Sequence, residues 1–111
     1  LGRVWRAFGY SVAGFRAGWR QVAFRQEVVL AAVLVPLGGW LGQSGVERAL
    51  LIGSVLLVPL VELINTAVEM AIDRIGTERH ELSAQAKDLG SAAVVIAILV
   101  AGVTWALVLW P

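Results

Sequence analysis

Three long apolar stretches, about Val28–Leu41, Ala49–Ile72 and Leu89–Trp110, decide what this chain can fold into. A helix needs about 20 predominantly apolar residues to cross the hydrocarbon core of a bilayer, and the second and third stretches meet that length. The first is short, about 21 Å at 1.5 Å per residue, and borrows length from Val22-Ala23-Phe24 before it. Pro36 and Pro59 fall inside spans, where neighbouring helices can satisfy the carbonyl that each proline frees. The chain has 111 residues, 59% of them hydrophobic, and a mean hydropathy of +0.79. That is too apolar for a soluble domain and too short for more than one domain. The expected fold is an all-α membrane protein with three spans, at about 26–42, 49–72 and 89–110, in a single domain over residues 1–111.

Charge and cysteine content narrow the function classes. A net charge of +1 gives no basic or acidic excess that would argue for nucleic acid. With no cysteine there is neither a disulfide framework nor a thiolate metal site. No small-residue cleavage pattern follows the first apolar run, so the apolar segments are expected to stay as spans.

Residues 2–25 read differently. Arg3, Arg6, Arg16, Arg20 and Arg25 alternate with Trp5, Phe8, Tyr10, Phe15 and Trp19. Such interleaving suits an amphipathic helix in the headgroup plane; the plainer alternative is a solvated leader that only sets topology. These five arginines precede the first span, the connection 42–48 holds only Glu47 and Arg48, and the connection 73–88 holds Arg74, Arg79 and Lys87. The excess of basic residues places the N-terminus and the second connection in the cytoplasm. Trp40, Trp105 and Trp110 then gather at the outer ends, as an aromatic belt would. Ala93, Ala97 and Ala101 recur every four residues on the third span, a spacing that lets membrane helices approach closely. Three helices offer little interior for polar groups, so self-association is expected.

The polar groups at issue lie on the second span. At 100° per residue, Glu62, Asn65, Glu69 and Asp73 fall within an arc of about 80°. An ionised group at membrane depth costs roughly 2.5–3.5 kcal/mol on insertion scales, so this stripe needs a reason. Three readings compete: a polar seam between helices, a proton or cation transport site, and a catalytic pair of carboxylates. Depth bears on the choice. Glu62 is about 16 Å along the helix from Asp73, and Glu69 only about 6 Å. Glu69 is shallow enough to share a hydrated metal ion with a water-soluble nucleotide, while a lipid hydroxyl could reach Glu62. Beyond the stripe, Glu78, Arg79, His80, Glu81, Lys87 and Asp88 crowd the second connection. Phosphoryl transfer needs mainly positioning and charge neutralisation, which a lysine and carboxylate-held magnesium supply. A charged connection between spans is otherwise simply solvated, and His80 alone reads as a surface residue. The sequence contains none of the phosphate-binding loops or kinase signatures of soluble folds.

The blocks Glu62-Leu63-Ile64-Asn65-Thr66-Ala67-Val68-Glu69, Asp73-Arg74-Ile75-Gly76, His80-Glu81-Leu82-Ser83 and Ala86-Lys87-Asp88-Leu89-Gly90-Ser91-Ala92-Ala93 closely resemble the bacterial integral-membrane diacylglycerol kinases. Gly9-Tyr10-Ser11, Ala23-Phe24-Arg25-Gln26-Glu27 and Thr104-Trp105 extend the match over nearly the whole chain. Phe24-Arg25-Gln26-Glu27 and Asp73-Arg74-Ile75-Gly76 fit the gammaproteobacterial type better than the undecaprenol-kinase branch. The resemblance implies a homotrimer in the bacterial inner membrane, with composite active sites between protomers. It implies transfer of the ATP γ-phosphate, with Mg2+, to the hydroxyl of diacylglycerol, giving phosphatidic acid. Carried across, Glu62 matches the general base, Asn65 a polar residue beside it and Glu69 a magnesium ligand. Glu78, Arg79, His80, Lys87 and Asp88 match nucleotide-contacting positions, as do Arg3 and Tyr10 on the surface helix. Ser91 and Trp105 match positions near the lipid.

One departure stands out. The family usually carries a second metal-binding glutamate on the surface helix, shortly before the Ala-Phe-Arg segment. Here the stretch is Trp19-Arg20-Gln21-Val22-Ala23-Phe24. Aligned from Phe24, Gln21 takes that place; aligned from Trp19, Val22 does. Glu27 is no simple replacement, being six residues from Gln21 and rotated by roughly 240° on a helix. Two alternatives therefore stand beside the diacylglycerol kinase reading: an inactive or weakened member acting as a membrane partner protein, and an undecaprenol kinase.

Overall fold

A computed structural model shows four helices, and it describes residues 1–76 and 80–111. They are α1 (Gly2–Trp19), α2 (Val22–Leu41), α3 (Gly45–Ile75) and α4 (Glu81–Leu109). The last three are long and apolar enough to cross a membrane. At 1.5 Å per residue, α2 is about 30 Å long and α3 about 46 Å, so α3 can extend beyond the hydrocarbon into the headgroup region.

The first helix stops at Trp19, earlier than the sequence boundary near residue 25. Arg20 and Gln21 bond back to Ala17 and Gly18 carbonyls, and Gln21 then turns extended (φ −88°, ψ 127°) as the N-cap of α2. Gly18 makes this junction possible: a Cβ there would sit 2.7 Å from Leu63 Cδ2 and 3.3 Å from the Phe24 ring. A glycine thus brings the end of α1 against α3.

The turn between α2 and α3 is closed by local chemistry. Ser44 caps α3 by accepting from the Glu47 N–H at 3.1 Å, and Glu47 Oε1 accepts from the Gln43 N–H at 3.2 Å. Arg48 Nε reaches back to the Gly39 carbonyl at 3.2 Å. Only residues 42–44 join the two helices, so they run antiparallel.

Helix α3 is the centre of the bundle, with α2 and α4 both packed on it. Its buried face is Leu51, Ser54, Val55, Glu62, Asn65 and Thr66; Phe24 and Ala31 of α2 and Ala97 of α4 complete the core. The part of that face nearer the start of α3 is mainly apolar, with Ser54 Oγ donating to the Leu51 carbonyl at 3.1 Å, and the part nearer its end is polar. Ala97 is the member of the alanine repeat that packs inward, while Ala93 is exposed. Much of the aliphatic surface of α4, including Leu89, Ile96, Leu99 and Val103, is also exposed. Trp40 and Trp110 stand exposed near helix ends, but Trp105 turns inward, its indole N–H donating to the Leu51 carbonyl at 3.0 Å.

Candidate active site

The stripe read from the sequence exists as a face of α3, and burial grades along it. Glu62 and Asn65 are each 8% exposed, Glu69 is half-buried and Asp73 is exposed. Asn65 Nδ2 donates to Glu69 Oε1 at 3.2 Å, the i to i+4 reach of an α-helix. On its other side the amide oxygen has no hydrogen-bond partner and lies against the backbone of Gly90 on α4. Only glycine permits so close an approach here. The amide is thereby held between α4 and the Glu69 carboxylate, which fixes the direction of that carboxylate.

Lys87, in the second turn of α4, reaches across to the last turn of α3. Its Nζ donates to Asp73 Oδ1 at 2.9 Å. Lys87 precedes the apolar run that starts at Leu89, outside the membrane-spanning segment. The hydrogen bond to Asp73, aided by the charge of that carboxylate, pushes the ammonium above its ordinary pKa. A fixed positive charge therefore stands at the exposed end of the stripe.

The other sequence-predicted residues are distributed around this axis. His80 is the N-cap of α4, with Nδ1 accepting from the Leu82 N–H at 3.1 Å. Glu78 and Arg79 lie outside the described residues. Asp88 and Ser91 are exposed on α4, Arg3 and Tyr10 on α1, and Gln21 at the start of α2. Among the described residues, none of Arg3, Tyr10, Gln21, Asp88 or Ser91 is hydrogen-bonded to the stripe through its side chain. One copy of the chain therefore brings together Asn65 with Glu69 and Lys87 with Asp73, and leaves the α1 residues apart.

Metal chemistry can be tested against the donors present. Among the described residues no three His, Asp or Glu side chains converge on one point. Magnesium does not require that: it usually keeps several waters and binds through one or two carboxylates together with phosphate oxygens. Glu69, half-buried and oriented by Asn65, fits a single carboxylate ligand of that kind.

One residue escaped the sequence reading of the site. Glu27 on α2 has a carboxylate oxygen, Oε2, that is buried without a hydrogen-bond partner. It lines a cavity of about 440 Å³ whose other walls include Leu30, Ala31, Val55, Val58 and Trp105. The available signal was an ionisable residue inside an apolar helix. Its place beside an apolar cavity depends on how α2, α3 and α4 pack together. Trp105 borders that cavity as well.

Known proteins resemble the chain over nearly its whole length. The family model described as prokaryotic diacylglycerol kinase matches residues 9–109. The chain is 52% identical over 109 residues to a diacylglycerol kinase of Escherichia coli strain K12, covering 97% of this chain and 89% of that protein. It is 51% identical over 110 residues to one from Pseudomonas aeruginosa, covering 98% and 89%. It is 39% identical over 104 residues to one from Helicobacter pylori strain 26695, covering 93% and 81%. With a family match over almost all its length and half its residues shared with such relatives, the chain belongs to the prokaryotic diacylglycerol kinase family.

Proposed function

We propose that this chain is a lipid kinase of the bacterial inner membrane that transfers the γ-phosphate of ATP to the hydroxyl of diacylglycerol, yielding phosphatidic acid and ADP. The observation that carries this reading is the graded stripe on α3. It leads from buried Glu62 through Asn65 and Glu69 to the exposed Asp73–Lys87 pair, so one helix face runs from the protein interior to water. A lipid hydroxyl and a soluble nucleotide need such a path to meet.

In this mechanism Glu62 accepts the proton of the lipid hydroxyl as its oxygen bonds to the γ-phosphorus and the bond to the ADP oxygen breaks. Asn65 holds Glu69 in place, and Glu69 is the residue that would hold magnesium. The ion held there with ATP would neutralise phosphate charge. Lys87 adds positive charge at the same end. Glu78, Arg79, His80, Asp88, Arg3, Tyr10 and Gln21 serve the nucleotide side, and Ser91 and Trp105 the lipid side. The cavity beside Glu27 and Trp105 suits the glycerol end and acyl chains of the lipid because its walls are apolar.

The active unit in this reading is a homotrimer with shared sites and the N-terminus in the cytoplasm, α1 lying amphipathically on the membrane surface. The exposed aliphatic surface of α4 and the separation of α1 residues from the stripe within one copy support it. The arginines that precede α2 support the orientation.

The test is ATP- and magnesium-dependent phosphorylation of diacylglycerol in mixed micelles, with Glu62→Gln alongside. Turnover in the parent with a loss of at least about 100-fold in the variant is expected for removal of a general base. A variant as fast as the parent removes Glu62 from that role. A folded parent inactive on diacylglycerol but active on undecaprenol shifts the substrate, and inactivity on both favours a partner protein.

A further inference from the structure

The bond between Lys87 and Asp73 is the ion pair found among the described residues, and it spans fourteen positions of sequence. It joins the last turn of α3 to the second turn of α4 across the connection between them. Both side chains are open to water, Lys87 at 43% and Asp73 at 59% exposure. Exposed pairs of this kind add little to stability, so holding the fold together is a weak reason for it. What the pair does determine is where the ammonium spends its time. A lysine side chain has a flexible four-carbon stem, and an untethered one sweeps a wide arc.

We propose that Asp73 is a positioning residue of the phosphoryl-transfer site, holding the Lys87 ammonium one helical turn from Glu69 so that it meets the nucleotide phosphates there. The inference rests on the reading of Lys87 as a phosphate-binding residue. Asp73 follows Glu69 by four residues and shares the face of α3 that carries Glu62 and Asn65, so the tether fixes the cation on the axis of the stripe. The ammonium has three donors, and Asp73 Oδ1 uses one of them; two remain for phosphate oxygens. Asp73 itself would repel a phosphate. Its contribution therefore passes through Lys87.

Steady-state kinetics in mixed micelles test this with Asp73→Asn, Asp73→Glu and Lys87→Met, taking KM for MgATP and for diacylglycerol separately. Asp73→Asn is expected to raise KM for MgATP about fivefold, the upper range for an exposed pair. It should leave KM for diacylglycerol and the thermal unfolding midpoint unchanged, and Asp73→Glu should recover most of the loss. Binding of MgADP closes the cycle: on a Lys87→Met background, Asp73→Asn should weaken binding no further. An unchanged or lowered KM for MgATP in Asp73→Asn overturns the proposal, as does an equal loss of MgADP binding with Lys87 absent. If Lys87→Met itself keeps parental kinetics, the phosphate-binding reading of Lys87 fails first. If Lys87→Met is impaired while Asp73→Asn is normal, only the positioning role falls.

Discussion

Gly90 of α4 lies so close to Asn65 of α3 that a Cβ added to the glycine would overlap the amide oxygen Oδ1. Because the same amide donates to Glu69 at 3.2 Å, the spacing of two helices and the aim of a carboxylate are set at one contact. Gly90→Ala must therefore either move Asn65 or part the helices. Overpacking of this kind costs about 1–3 kcal/mol. The expected outcome is a lower unfolding midpoint together with a raised magnesium requirement. Gly53→Ala on α3, where nothing lies within 4 Å of the added methyl, is the control and should leave both unchanged.

Glu27 offers a separation of stability from function. Its Oε2 is buried without a partner, and a buried charged group in that condition does not help the fold. Glu27→Leu is expected to hold or raise the unfolding midpoint. If the neighbouring cavity takes the glycerol end of the lipid, the same variant changes a wall of that cavity and should raise KM for diacylglycerol. The KM for MgATP should not move. A KM for diacylglycerol equal to that of the parent removes Glu27 from the lipid site.

The helices that could span the membrane were legible because continuous apolar runs leave few options for a backbone that must satisfy itself in lipid. The stripe was legible for the same reason: carboxylates and an amide at i, i+3 and i+7 of an apolar helix share a face whatever surrounds them. The break after Trp19 was not, because it depends on Gly18 packing against Leu63, a contact 45 positions apart in sequence. Trp105 misled in part. A tryptophan near a span end reads as an interface anchor, and only the Leu51 carbonyl opposite it turns the indole inward. Asp73 was placed on the stripe, yet its hold on Lys87 needed the geometry of two helix ends meeting.

His80 separates a structural duty from a chemical one. Its Nδ1 caps α4 through the Leu82 N–H. His80→Ala removes that acceptor and should cost about 1 kcal/mol, as loss of an N-cap does. His80→Asn can cap in its place and should restore the unfolding midpoint. If His80 also contacts the nucleotide, His80→Asn keeps a raised KM for MgATP after stability has returned. Full kinetic recovery in His80→Asn would limit the histidine to capping.

Gln21 stands at the N-cap of α2, exposed, and its side chain makes no capping bond. A carboxylate there is expected to be tolerated, because a helix N-terminus favours negative charge by about 0.3–1 kcal/mol. The break at Arg20–Gln21 also explains how the stretch can be a residue shorter than the family pattern: a change of length at a junction between helices shifts no helical face. Gln21→Glu should then leave the fold intact and lower the magnesium concentration needed for half-maximal rate, since a second carboxylate adds charge to the ligand set. Val22→Glu tests the other alignment, and Gln21→Ala reports what the amide alone contributes. A reduced requirement in one glutamate variant identifies where the second carboxylate acts. An unchanged requirement in both would mean that Glu69, water and the nucleotide phosphates suffice, and that this chain works with a single protein carboxylate on its metal.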